Sequence, residues 1–289
     1  MKRGARTTTN RVLLLALLVS ASGHAQEEPG GIESALGTPD WLSITGSFRL
    51  RYEHMENTFR IVGPAQDELL VSRLLLHARA TGKRFYGGVE LQDSRAWLHE
   101  DLTPVGTDDV NALEPLQLYA GYRTDNLDVQ LGRMTMDVGS RRFVARNRTR
   151  NTLNGFTGIN ARWTLSGRRG LQAFLTMPTA RLPNNLERGK LRGNDFVLDQ
   201  EHGERVFWGL YLSGIGFSSG FETDWYLFGI HEEDRPSLPT RNRDFLTAGL
   251  RVRKSTDLWS FEFETALQSG ETRATLLPLD VTDLDHRAW

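Results

Sequence analysis

Six arginines, Arg133, Arg141, Arg142, Arg146, Arg148 and Arg150, fall between positions 133 and 150, and Asp137 is the only acid among them. Arginine keeps its charge and presents a planar fork that matches a carboxylate. A run of this density can pair with, recognise or conduct anions. Arg162 follows shortly after. Arg49, Arg51, Arg73, Arg79, Arg123, Arg251 and Arg253 alternate with apolar neighbours, so they fall with Arg162 on the polar face of extended segments. Rings of arginine are one way that pores select anions. Acids on the same polar faces, among them Glu53, Glu90, Asp128, Asp224, Glu262 and Glu264, predict cross-strand ion pairs. Positive charge is then left over only where acids are absent.

Other chemistries find little support. The chain has 289 residues, a formal net charge of −1 and no cysteine. Disulfides, thiolate metal sites and a cysteine-anchored lipid are excluded, and nothing points to nucleic acid. There is no G-x-S-x-G and no H-E-x-x-H. The histidines are scattered, at His24, His54, His77, His99, His202, His231 and His286. Asp195, Asp199 and Glu201 read better as a solvated loop than as a divalent-cation site. No catalytic residue, metal or cofactor is predicted.

The elements that position these arginines are strands. From Trp41 to Gln268, segments of about ten residues alternate apolar and polar side chains, the pattern of a strand between oil and water. The first puts Leu42, Ile44, Phe48, Leu50 and Tyr52 on one face, and Thr45, Arg49, Arg51 and Glu53 on the other. The fourth sets Leu116, Leu118, Ala120 and Tyr122 against Gln117, Tyr119 and Arg123. In the fifth, the apolar phase breaks at Gly132-Arg133, which suggests a β-bulge. Counting in this way gives about eleven strands. Tight links such as TGKR, TDN and KSTD alternate with long ones such as 139–152 and 179–204. Outer-membrane barrels have short periplasmic turns and long external loops, and a secreted sandwich or propeller has no reason to keep that order. Trp41, Tyr52, Tyr122, Trp163, Trp225 and Trp259 lie in or at the ends of strands, where amphipathic rings meet headgroups.

The N-terminus reads as a signal peptide over residues 1–25. A leader with Lys2, Arg3, Arg6 and Arg11 precedes the apolar core Val12–Val19, and Gly23-His24-Ala25 is a small-x-small cleavage site. Eight apolar residues are too few to span about 30 Å of hydrocarbon. Residues 26–40 then form a periplasmic segment and 41–289 the barrel domain. The predicted location is the outer membrane of a Gram-negative cell. The expected surroundings are lipid and lipopolysaccharide, whose phosphates are an alternative partner for any single arginine of the cluster.

Three blocks carry a family resemblance. They are LGRM at Leu131–Met134, VGSRRFV at Val138–Val144 and RNRTRNTLNGF at Arg146–Phe156, with VELQDSR at Val89–Arg95 in support. Here the chain resembles the alginate export family of outer-membrane proteins. The resemblance implies a wide, monomeric, all-β antiparallel barrel of about 16–18 strands with an electropositive constriction passing an anionic polysaccharide. By motif, Arg133, Arg141, Arg142, Arg146, Arg148 and Arg150 contribute to that path. Where the family motif commonly has Asp before the glycine, this chain has Asn154. The implied function is export of an acidic, alginate-like exopolysaccharide. General or small-anion uptake is the alternative, and a barrel enzyme or a non-transporting structural barrel stands behind it. The residues name neither the solute nor a periplasmic secretion partner.

The tail carries a further expectation. LLPLDVTDLDHRAW offers no clean twelfth strand, because Asp283, Asp285 and Arg287 occupy alternate positions before Trp289. An odd strand number leaves an open edge, and unpaired backbone in lipid is costly. The expected object is therefore an incomplete barrel whose remaining strands lie beyond Trp289.

Overall fold

Period-two sequence folds as strands because only an extended chain sends alternate side chains to opposite solvents. The computed structural model describes residues 37–56, 66–216, 220–234, 239–277 and 279–289. The expected signal peptide lies outside these residues. They hold one twelve-stranded antiparallel sheet in which each strand pairs with the next along the chain. The strands are β1 (Leu42–Glu56), β2 (Gln66–Thr81), β3 (Phe85–Trp97), β4 (Asn111–Arg123), β5 (Leu127–Met134), β6 (Phe156–Thr164), β7 (Gly170–Pro178), β8 (Arg205–Gly216), β9 (Glu222–Glu232), β10 (Asp244–Ser255), β11 (Ser260–Arg273) and β12 (Asp283–Ala288). One six-residue helix, α1 (Arg188–Gly193), interrupts the link between β7 and β8. No described helix is long and apolar enough to cross a membrane. The sheet is not closed: β1 and β12 are its edges.

Links alternate strictly. Short ones follow β2, β4, β6, β8 and β10, and long ones follow the odd-numbered strands. The apolar face is bare, with Phe48 67% and Leu118 65% exposed and Leu50, Leu131, Leu175 and Phe263 exposed beside them. That is a face built for a non-aqueous neighbour. The opposite, inner face is covered by the long links. From the 135–155 link, Met136, Val138 and Val144 pack on Phe156, Phe174, Tyr211, Tyr226 and Phe228. Val105, Val110 and Leu191 of two other links pack on Leu69, Val71 and Ala96.

Large rings lie over glycines on neighbouring strands. A Cβ at Gly121 would strike the Tyr86 ring, one at Gly249 the Tyr226 ring, one at Gly209 both Phe174 and Phe228, and one at Gly229 the Trp208 ring. The missing side chain is the socket that lets each ring lie flat against the wall.

Three sequence expectations need correction. β12 exists, pairing Asp283–Ala288 with Gln268–Arg273. Asp283 and Asp285 are exposed there, at the long-link end of the sheet, and backbone pairing with β11 does not depend on an apolar side-chain face. Gly132 is not a bulge, since β5 pairs in unbroken register with β4 and β6. It adopts φ +120, and a Cβ there would strike the Leu118 carbonyl, so glycine supplies a bend without an inserted residue. The irregularity lies instead in β4, where the register against β3 shifts between Glu90 and Leu91. That shift buries Leu116, expected outward, at 3% exposure.

The far end of β3 is finished by a side chain. Ladder pairing with β4 stops at Ser94–Asn111. Beyond it, Ala96 N–H donates to Asn194 Oδ1 and Ala96 O accepts from Asn194 Nδ2, both at 2.8 Å. Asn194 sits in the left-handed region at φ 54, as the C-cap of α1.

Gly121→Val should lower stability in detergent by about 1–3 kcal/mol through overpacking on Tyr86. Adding Tyr86→Leu should recover part of the loss. Urea titrations followed by tryptophan fluorescence measure both.

Candidate functional site

The arginine-rich segment is the 135–155 link itself, folded onto the inner face. Its first half is a closed turn. Val138 N–H bonds Val144 O at 3.0 Å, and Arg141, at φ 67, donates its N–H to Val138 O at 3.0 Å. Asp137 Oδ1 accepts from Arg146 N–H at 2.8 Å. Phe143 tilts against Tyr226 and Phe228, with centroids 5.6 and 6.1 Å apart.

The second half is held through its backbone. Arg49 on β1 donates to Arg148 O at 3.2 Å and to Arg150 O at 2.7 Å. Arg73 on β2 donates to the same two carbonyls at 3.1 and 2.8 Å. Asn151 Nδ2 donates to Ser72 O and Asp109 O at 2.8 and 2.7 Å. Asn151 O accepts from Ser94 Oγ, and Leu153 N–H donates to Gln92 Oε1. A loop brought off the surface must have its polar backbone satisfied, and here wall side chains satisfy it.

The predicted arginines divide by their partners. Arg146 is locked, with Nη2 2.6 Å from Glu90 Oε1 and Nη1 2.9 Å from Oε2; the side chains are 13% and 5% exposed. Arg133 is also locked, between Glu114 and Glu201. Arg150 shares Asp108 with Arg181, each at 2.8 Å. Arg142 reaches across to Glu264 of β11 at 3.4 Å. Arg148 is 71% exposed and only 4.0 Å from Asp137. Among the described residues, Arg141, Arg162, Arg49 and Arg73 have no carboxylate within ion-pair distance. Arg162 is exposed on β6, in register with Asp128. The remaining wall arginines are engaged: Arg51 with Glu53, Arg251 with Glu262, Arg253 with Asp224, and Arg79 and Arg123 over the Tyr86 ring.

The structure therefore brings Arg146, Arg148 and Arg150 together with Arg49 and Arg73. It sends Arg133 elsewhere and carries Arg142 towards β11. Between the β1–β2 wall and the loop lies a cavity of about 370 Å³, lined by Ser47, Arg73, His77, Glu90, Arg146 and Arg148 among others. Glu90, already bonded to Arg146 and to Gln117, is the only acid in that lining. The cavity can receive a carboxylate, sulfate or phosphate. Among the described residues, no group of His, Cys, Asp or Glu could hold a metal ion.

Sequence reading missed the hydrogen-bond role of Arg49 and Arg73, and it missed Arg181. Burial lowers the pKa of the Arg181 guanidinium, opposed by attraction to Asp108. Arg181 donates to Thr152 Oγ1 at 2.7 Å and so ties the 179–204 link to the arginine loop. No spacing signal marks it, since its partners lie 29 and 73 positions away.

A family model described as alginate export matches residues 40–289. No curated protein and no solved structure matches the chain.

The two classes of loop arginine should separate in double-mutant cycles. The buried Arg146–Glu90 pair should couple by more than about 1 kcal/mol, since removing one partner strands the other. The exposed Arg150–Asp108 pair should fall below about 1 kcal/mol. Urea unfolding of the single and double glutamine and asparagine variants supplies the four corners of each cycle.

Proposed function

The chain belongs to the alginate export family, and on that premise we propose that it is an outer-membrane channel exporting an acidic, alginate-like polysaccharide along the arginine-lined inner face. Family membership and the all-β fold support the outer membrane and polysaccharide export in general, and a transporter rather than an enzyme. The finer reading rests on one observation: Arg49, Arg73 and Arg148 gather beside a cavity with a single, already committed acid. A polymer carrying one carboxylate per sugar would find a succession of guanidinium forks. Weak engagement at several points allows entry without trapping. Lipid and lipopolysaccharide surround the bare apolar face, and the channel acts as a monomer.

The functional arginines in this reading are those whose charge is not cancelled. Arg146 and Arg133 shape the wall, while Arg73, Arg148, Arg141 and Arg162 supply the field.

Planar-bilayer reversal potentials test this. Arg73→Gln with Arg148→Gln should lower the anion-over-cation permeability ratio, more strongly at low salt where screening is weak. Arg133→Gln should change it little. Oligouronates should block current with strength rising with chain length if the solute is a polymer, whereas a small-anion pore would show no length dependence. Absence of any steady conductance from the intact protein would overturn the channel.

A further inference from the structure

The link 179–204 crosses the long-link end of the sheet as a strap, and a group of acids fastens it. Arg133 Nη1 bonds Glu114 Oε1, its Nε donates to Glu201 Oε1 at 2.7 Å, and its Nη2 donates to Asp199 O at 3.3 Å. Glu114 is 1% exposed and Asp199 7%. Asp199 N–H donates to Glu114 Oε2 at 2.9 Å, which draws the two acids together. The Asp199 carboxyl has only neutral donors, Leu182 N–H at 2.8 Å and Asn111 Nδ2 at 3.0 Å. Two carboxyl groups, of Glu114 and Glu201, therefore share one guanidinium, and the Asp199 carboxyl lies beside them without a bond to it.

Other charges face this group. From the strap itself, Arg181 is paired with Asp108 of the 98–110 link. From β4 comes Glu114 and from β5 Arg133, while Glu201, Glu204 and the buried His202 belong to the strap. Thr157 of β6 donates a neutral hydroxyl to Glu201 Oε1.

We propose that the 179–204 strap is a proton-controlled latch, closed while the buried Asp199 carboxyl is protonated and released when that proton is lost. Ionised, Asp199 would be a second buried negative charge beside Glu114 with no cation of its own. Hydration relieves it, and hydration requires the Ala180–Gln200 backbone bridge and the Leu182 anchor to part. Opening also frees Arg181 from Thr152, so the arginine loop feels the release.

Burial, reinforced by Glu114, pushes the Asp199 carboxyl up to about 7. An acid whose value is higher when packed than when open favours packing at low pH. That advantage is complete below the open-state value and is lost as pH rises to the packed value, then levels off. The strap loosens between about pH 4 and 7 and changes little above.

The chain has no cysteine, so single thiols report cleanly. In native membranes carrying the full chain, Ala180→Cys probes a buried strap position and Leu186→Cys an exposed one. The ratio of their maleimide labelling rates cancels the reagent's own pH dependence. It should rise by up to about tenfold per pH unit between pH 5 and 7 and flatten above about 7.5. Asp199→Asn should abolish the rise, Glu114→Gln should move its midpoint to lower pH, and His202→Gln should leave it unchanged. A pH-independent ratio in the parent, an undiminished rise in Asp199→Asn, or a rise abolished by His202→Gln would overturn the latch. If Asp199→Asn fails to assemble, an unmoved midpoint in Glu114→Gln does so.

Discussion

The site depends on how a guanidinium is spent. An arginine that bonds a carboxylate loses its field, because the pair is neutral. An arginine that bonds a backbone carbonyl fixes geometry and keeps its charge. Arg49 and Arg73 take the second course with the carbonyls of Arg148 and Arg150. They thereby bring a cationic loop against a cationic wall. Such an arrangement repels itself, and apolar and ionic restraints must hold it. The packing of Val138 and Val144 on the aromatic inner wall, and the locked Arg146–Glu90 pair, supply them. Neutral pairs at the margins thus allow an unneutralised centre.

The wall beneath is built to stay thin on its inner side. Rings of Tyr86, Tyr226 and Phe174 lie where glycines open sockets, so bulky residues cover the sheet without filling the space before it. The same interior is crossed by ion pairs between adjacent strands, such as Arg251–Glu262 and Arg253–Asp224. They fix side chains that would otherwise sweep the space.

Much of this was legible in the residues. Strand periodicity is local, so the faces and the alternation of links could be read directly, and the cluster at 133–150 stood out by density. What could not be read is which arginines keep their charge, because that is decided by partners distant in sequence. Glu90 lies 56 positions from Arg146, and Glu201 lies 68 from Arg133. Leu116 and Gly132 were misjudged for a related reason. A phase break says that the backbone departs from regular pleating, but not whether a residue is inserted or a bend absorbed. β12 was discounted because aspartates were weighed against a lipid environment, although those six residues pair at the long-link end.

The Asn194 contact has a temporal consequence. Strand β3 emerges early in synthesis, yet on its β4-facing edge the two backbone hydrogen bonds at Ala96 come from a side chain 98 positions later. A wall assembled hairpin by hairpin would carry an unfinished seam at Ala96 until the strap after β7 had been delivered. During that interval the rim of the early strands is a place where chaperones can hold and proteases can cut. Completion of the seam then depends on the arrival of Asn194.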